Sequence, residues 1–304
     1  MNFIKKGKIY TPITNQWWKS HAMAPSPILL DENILRVFVG ALNEDGISSI
    51  AYVDLDSSNP ANVLNVSKKP VLTKGRPGTF DENGVFPASV YRYEDKIYLY
   101  YTGFQLGDKV RYFMFGGLAI SEDNGNTFKR VSEVPVTDRS DEGLCFRGGP
   151  SVLYEDGKFK VYYSSGSQWV EVDGKDRPTY DIFFIESEDG INIGKRGIKC
   201  LEYNRNFEHG LGRPQILKDN GIYMLFYTRR TKDMKYLSGY AESIDGINWI
   251  RKDDKLNLTH SPDGWDSDMI YFPNAIKYGD KYYLFYNGNN FGEMGFGYAG
   301  LELN

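Results

Sequence analysis

Two cysteines and three histidines in 304 residues leave little material for thiol, disulfide or histidine–metal chemistry. Cys145 and Cys200 make no disulfide framework and read as free thiols in a reducing compartment. No histidine sits in a metal-spaced motif, so no His-ligated metal and no cofactor is expected. An axial calcium ion has no sequence motif behind it. Excess positive charge is lacking too: 36 Lys and Arg against 40 Asp and Glu give a net charge of -4. Such a chain has no basic field to hold a phosphate backbone, which argues against nucleic acid as a partner. No apolar run approaches a membrane span, so no membrane partner is expected. The start, MNFIKKGKIYTPITNQWW, has no apolar segment of a signal peptide. The expectation is a cytoplasmic protein. Long 3.6-residue periodicity is also missing, which argues against a helical domain.

Aromatic residues, by contrast, are abundant at 15%, with 23 Tyr and 18 Phe. They suit a pleated, half-buried surface, and Tyr suits a sugar-facing one. Many of them fall in a repeat. YEDKIYLYYTG begins at Tyr93, YEDGKFKVYYSSG at Tyr154, KDNGIYMLFYTRR at Lys218 and YGDKYYLFYNGN at Tyr278. A diverged copy, LDENILRVFVG, begins at Leu30. Each is a polar turn followed by an alternating strand. A proline and a short apolar strand precede each copy: Pro25, Pro87, Pro150, Pro214 and Pro273. Three copies of a Ser-x-Asp turn follow, SEDNGNTF from Ser121, SEDGINI from Ser187 and SIDGINW from Ser243. Ser, Asp and Gly in these stretches read as turn chemistry rather than catalysis. The unit is four antiparallel strands repeated five times, which predicts an all-β, five-bladed β-propeller. One domain over 1–304 is expected, with blades near 24–75, 84–137, 143–202, 209–258 and 264–304. The N-terminal segment 3–12 is expected to complete the last blade and cover its edge.

This topology places a site where the five inner strands begin, at WWKSHAMAP, GTFDENGVFP, GLCFRGGP, FEHGLGRP and GWDSDMIYFP. Asp81 and Asp268 are the expected catalytic pair, with Glu82 and Asp266 as alternates. Asp266 and Asp268 are two apart and share a face in an extended chain. Adjacent like charges raise one pKa, which keeps one acid protonated near neutral pH. The substrate-binding candidates are His21, Asn83, Arg147, Glu208, His209, Arg213, Arg229, Tyr271, Asn287 and Asn289. Arg229 and Arg230 are adjacent, so one of the two points inward. Trp17, Trp18 and Trp169 read equally as a sugar-stacking rim or as packing.

The five units, FDENGVFP and YAESIDGINW resemble the five-bladed propeller glycosidase superfamily, which includes glycoside hydrolase families 32, 43, 68 and 130. HAMAPSP, GLGRP, FYTRR, GWDSDMIYFP and LFYNGNNFGEMGFGYA resemble a glycosidase-like branch encoded near surface-polysaccharide genes. The resemblance spans the chain and implies a carbohydrate or activated-sugar substrate. Two departures stand out: His21 lies where a family 43 base is expected, and Arg147 where an acid often sits. Family 130 implies an acid in the second blade and a basic cluster for a phosphate co-substrate, for which Arg147, Arg213, Arg229 and His209 are placed. Three readings follow. The first is inverting cleavage of a glycosidic bond by a carboxyl pair. The second is a phosphorylase or an enzyme of phosphorylated or nucleotide sugars. The third is a non-catalytic glycan-binding propeller, in which the acids are spread out and paired.

Overall fold

The computed structural model describes residues 2–12 and 17–302. The last two residues of the expected fifth unit lie outside them. The chain opens with β1 (Ile4–Tyr10). Strands β2 (Ser20–Leu29), β3 (Ile34–Leu42), β4 (Ser48–Asp56) and β5 (Val63–Val66) pair in that order, each antiparallel to the next. The same order recurs in β6 (Val85–Tyr93), β7 (Lys96–Leu106), β8 (Tyr112–Ser121) and β9 (Lys129–Arg130). It recurs again in β10 (Phe146–Glu155), β11 (Lys158–Val172), β12 (Lys175–Ser187) and β13 (Ile198–Leu201). These two runs form one eight-stranded sheet, because Phe146 and Arg147 pair in parallel with Met114 and Phe115. The described residues therefore form four sheets, where five separate ones are expected from the repeat. A further sheet holds β14 (Glu208–Asp219), β15 (Ile222–Thr231), β16 (Leu237–Ser243) and β17 (Ile250–Arg251). The last holds β18 (Tyr271–Tyr278), β19 (Lys281–Asn287) and β20 (Phe296–Glu302), with β1 antiparallel to β20. The first strand thus covers the edge that the last would otherwise expose. No helix among the described residues is long and apolar enough to cross a membrane.

The strands β2, β6, β10, β14 and β18 touch in a closed cycle, each meeting the next and β18 meeting β2. Apolar side chains fill the space between consecutive units. Phe38 packs in one cluster with Leu99, Tyr100 with Phe159, Tyr162 with Leu225, and Phe226 with Leu284. Leu35 and Phe285 close the cycle between the first and last sheets. Alternation explains this: one face of each strand meets the sheet before it and the other face the sheet after it.

The Ser-x-Asp turns behave alike. In SIDGINW the Asp245 carboxylate accepts from the Ile247 and Asn248 amides at 2.8 Å each, and Ser243 Oγ accepts from Gly246 N at 2.9 Å. Asp189 and Asp123 accept equivalent amides in the other two copies. These bonds hold the Asp245 carboxyl below the usual range.

The inner strands share a second device. The residue before the proline is left-handed in four of them: Ala24 (φ 56°), Gly149 (φ 65°), Arg213 (φ 49°) and Phe272 (φ 54°). Each strand carries a register shift at this point. A left-handed residue followed by a proline removes two donors from the ladder. The freed amide is met from the preceding unit. Gly149 N donates to Thr102 Oγ1 at 3.0 Å, Arg213 N to Ser164 Oγ at 3.1 Å, and Phe272 N to Thr228 Oγ1 at 2.8 Å. Ala24 N donates to Asn287 Oδ1 at 2.7 Å. Gly149 also needs its missing Cβ, which would sit 3.2 Å from Arg213 Cα.

Arg213 occupies the hub of this ring. Its guanidinium donates to the carbonyls of Pro87, Phe272, Ala24 and Pro25 and to Ser26 Oγ. One side chain thereby ties four units together. Arg213→Met is expected to strand these buried carbonyls and cost about 3 kcal/mol or more. At about 2–4 °C per kcal/mol for a chain of this size, calorimetry should show a clear fall in the melting temperature. A melting temperature within a degree of wild type would remove Arg213 from its place as the hub.

Candidate functional site

A cavity of about 200 Å³ opens where the inner strands begin. One water's share of liquid volume is about 30 Å³, so the cavity admits a group of roughly monosaccharide size. Its floor is made by the pre-proline residues Phe86, Gly149, Arg213 and Phe272, and by Thr102, Ser164 and Thr228 from the neighbouring strands. Its walls are Tyr112, Met114, Phe146, Tyr180, Tyr236, Tyr271 and Phe291, with Arg230 among them. Phe291 and Asn290 are both left-handed, with φ of 57° and 53°. A loop between Gly288 and Gly295 holds them in that conformation and sets the Phe291 ring against Tyr236 and Tyr271. No carboxylate lines the cavity among the described residues.

The polar groups here form one connected chain. Arg230 donates to the hydroxyls of Tyr180 and Tyr236. His209 Nδ1 lies 3.1 Å from Pro178 O, and its Nε2 lies 3.2 Å from the Tyr236 hydroxyl. A carbonyl only accepts, so Nδ1 carries the proton and Nε2 accepts from Tyr236. Burial, with the Arg230 charge added, pushes His209 down to about 3, so the ring is neutral at physiological pH. Burial raises the Tyr180 and Tyr271 hydroxyls above the ordinary range, which keeps them uncharged. The Tyr271 hydroxyl is buried with no hydrogen-bond partner among the described residues. Burial pushes Arg213 down to about 9, which leaves it charged at neutral pH.

The four expected acids lie elsewhere. Asp81 is buried and accepts from Thr79 Oγ1 (2.8 Å), Tyr101 OH (3.2 Å) and Arg130 Nε (2.8 Å). Asp266 is buried and accepts from Tyr286 OH (3.1 Å) and Lys5 Nζ (2.7 Å). Tyr101 and Tyr286 hold the same place in the repeat, as do Tyr163 and Tyr227. Tyr163 donates to Glu142, which Arg147 approaches at 3.1 Å. Tyr227 donates to Asp253 at 2.6 Å, which Arg251 also meets at 2.6 Å. A tyrosine–acid–cation latch therefore recurs in four units, and Asp81 and Asp266 belong to it. In three of them the cation comes from the outermost strand, Arg130 on β9, Arg251 on β17 and Lys5 on β1. Glu82 accepts from Gly78 N and Gln105 Nε2, a turn-forming pattern. Asp268 is exposed and lies 3.8 Å from Lys235.

Among the binding candidates, Arg213 and Tyr271 line the cavity. Arg147 bonds Asp138 O and Gly194 O behind it. Arg229 faces away and meets Glu208 at 2.7 Å. Glu208 is buried. That burial acts to raise its pKa, but the bonds from Arg251 and Arg229 more than offset it and hold the carboxyl low. Asn287 ties Ala22, Ala24 and Gly295 together. Asn289 holds the amides of Asp268 and Met269, and Asn83 accepts from Leu106 N. His21 bonds Ser20 Oγ at 2.8 Å beside the Phe291 loop, and burial lowers its pKa. Trp18 is buried in the core, and Trp169 packs on Tyr112 and Phe146. No group of three or more metal-ligating side chains occurs among the described residues.

Of the adjacent Arg229 and Arg230, the one that lines the cavity is Arg230, not the Arg229 chosen from the sequence, and the lining residues Tyr180, Tyr236 and Phe291 are not among the sequence candidates. A signal for Arg230 existed. Thr228 aligns with Thr102, Ser164 and Asn287 in the repeat, and Arg230 is two residues on, hence on the same face. Tyr180 and Tyr236 lie outside the repeated strand core and carried no such signal.

No family model matches the chain. It is 32% identical over 305 residues to the uncharacterised protein Rv1502 of Mycobacterium tuberculosis strain H37Rv, covering 99% of this chain and 100% of the relative. It is equally similar to MT1551 of strain CDC 1551. Among solved structures, a glycosyl hydrolase from Bacteroides ovatus superposes with a TM-score of 0.76 at 14% identity, covering 99% of this chain and 93% of that one. A structure from the family of mannoside phosphorylases and hydrolases acting on β-1,2-mannosidic linkages gives 0.75 at 15%, with 99% and 93% covered. A thermostable family 43 glycoside hydrolase gives 0.68 at 17%, with 96% and 91% covered. The chain has the fold of these glycosidase-type propellers.

Two outcomes follow from this geometry. Asp81→Asn should destabilise the protein by about 1–3 kcal/mol, read by urea unfolding, because Arg130 and Tyr101 lose their charged acceptor. The depressed His209 pKa sets an acid limb. Below 6.5 the unfolded chain takes up a proton that the folded chain refuses until near 3. Stability is therefore lost as pH falls through that window. At about 1.36 kcal/mol per pH unit, wild type should lose about 2 kcal/mol more than His209→Gln between pH 7.5 and 5. Parallel acid limbs for the two proteins would contradict the neutral, buried imidazole.

Proposed function

Since the chain belongs, over nearly its whole length, to the family of Rv1502 of Mycobacterium tuberculosis, and its fold is that of glycosidase-type propellers, we propose that it recognises a sugar in the axial cavity. The eight-stranded sheet counts as two blades in this reading, making a five-bladed propeller. The closed cycle of five inner strands supports that count. The observation that carries the functional reading is the cavity itself. Aromatic faces from Tyr112, Phe146, Tyr180, Tyr236 and Phe291 surround a sugar-sized space. Their π-faces match the apolar face of a pyranose, and their hydroxyls match its polar rim.

Recognition is favoured over cleavage by a carboxyl pair because Asp81 and Asp266 are committed to latches. A general acid must come within hydrogen-bond reach of the bond it protonates. Asp268 supports cleavage as a second reading: it is exposed, and it lies three residues before Tyr271 of the cavity wall. A phosphate site made by Arg147, Arg213 and Arg229 is disfavoured, since Glu142 and Glu208 engage two of the three.

Calorimetric titration with mono- and disaccharides tests the proposal. Phe291→Ala should weaken sugar binding roughly 2–10-fold, the loss of one aromatic contact of about 0.5–1.5 kcal/mol. Asp81→Asn should lower stability and leave affinity unchanged. Turnover of aryl glycosides that Asp81→Asn abolishes at undiminished stability would overturn recognition as the primary role, and turnover lost only in Asp268→Asn would establish the second reading.

A further inference from the structure

The cavity holds more positive charge than its own lining neutralises. Arg213 spends its guanidinium on backbone carbonyls and one hydroxyl. Arg230 has a different environment. It is buried, and its only hydrogen-bond acceptors among the described residues are the neutral hydroxyls of Tyr180 and Tyr236. A guanidinium has five N–H donors in a planar fork, so most of the Arg230 fork has no protein acceptor. No carboxylate lines the cavity among the described residues. Several other partly or fully buried arginines have a carboxylate: Arg36 has Asp54, Arg130 has Asp81, Arg147 has Glu142, and Arg251 has Glu208 and Asp253. Arg213 has none, but five backbone and hydroxyl acceptors surround it.

A second observation points the same way. Tyr271 lines the same cavity, and its buried hydroxyl has no hydrogen-bond partner among the described residues. Buried hydroxyls are nearly always satisfied, so a lone one on a cavity wall calls for a partner that the protein does not supply. His209 adds direction. Its neutral Nε2 accepts a hydrogen bond from the Tyr236 hydroxyl, which leaves the Tyr236 oxygen lone pairs to receive Arg230. This fixes the guanidinium beside the cavity rather than letting it swing to solvent.

We infer that Arg230 and Tyr271 form an anion subsite, and that the ligand of the axial cavity is a sugar carrying a phosphate or carboxylate group. The inference rests on the sugar reading above and narrows it to charged saccharides. Arg230 supplies a planar pair of donors to two oxygens of the anion. Tyr271 donates its hydroxyl to the same group. The aromatic walls hold the ring. The anion neutralises a charge that the fold leaves without a counterion.

The test is calorimetric titration of the whole chain with glucose 6-phosphate, glucuronate, glucose and inorganic phosphate, at low and at moderate salt. At least one charged sugar should bind ten-fold or more tightly than glucose, with affinity falling as salt rises. Comparing glucose 6-phosphate with glucuronate then separates phosphate from carboxylate. Arg230→Met should erase the preference for charged sugars over glucose. Arg230→Lys should keep part of it, and Tyr271→Phe should reduce it several-fold while the fold stays intact. Phosphate binding that depends on Arg230, with no sugar bound, would support the anion subsite and overturn the sugar reading. Glucose binding as tightly as both charged sugars would overturn the subsite and leave the sugar reading standing. Binding of none of the four would overturn both.

Discussion

The structure depends on what happens one residue before each inner-strand proline. A proline in a strand removes a ladder donor, and a left-handed residue before it turns a second donor aside. Conformations of this kind cost about 1–3 kcal/mol each outside glycine. Here they persist because the diverted amide is taken by Thr102, Ser164, Thr228 or Asn287 of the preceding unit. Each unit therefore holds the next through its least regular point. The register shifts that accompany the turn push the pre-proline side chain inward, so Arg213 and Phe272 become part of the floor of the cavity, beside Phe86. Strain, closure of the ring and the site have one common origin.

The first unit is the exception that clarifies the rule. Where the others have Thr, Ser or Asn, it has Gly40, which offers no acceptor, and a Cβ there would lie 3.0 Å from Phe86 Cβ. Correspondingly, Phe86 has no left-handed φ and pairs in the ladder with Thr102. Arg213 compensates at this seam by donating to Pro87 O and to the carbonyls of Ala24 and Pro25. The cavity consequently draws its lining from the other units and none from the first.

Acidic residues at the strand beginnings look catalytic in a linear sequence, but in the ring most are fasteners. Each latch joins an acid outside the strands to a tyrosine of the strand next to the inner one and to a cation, which in three of the four comes from the outermost strand. Burial makes such a group expensive to leave unpaired, which is why these acids have cations, why Arg213 is ringed by backbone and hydroxyl acceptors, and why Arg230 stands out with only two neutral hydroxyls.

The sequence by itself determined the repeat of about sixty residues, the all-β class and the Ser-x-Asp turns. Those features rest on contacts between near neighbours, such as Asp245 with the amides two and three residues on. It also marked the inner strands by their prolines, and hence the end of the molecule where the cavity lies. Tertiary structure alone decided the roles of the acids, because their partners are remote in sequence: Asp81 meets Arg130, and Asp266 meets Lys5 at the far end of the chain. It also decided between Arg229 and Arg230. The two are equivalent in composition, and only the parity of β15 against the neighbouring units turns Arg230 to the cavity and Arg229 to Glu208. A one-residue offset exchanges those faces; the repeat alignment groups Arg230 with Thr228, but only the ring shows that this face is the one turned to the cavity.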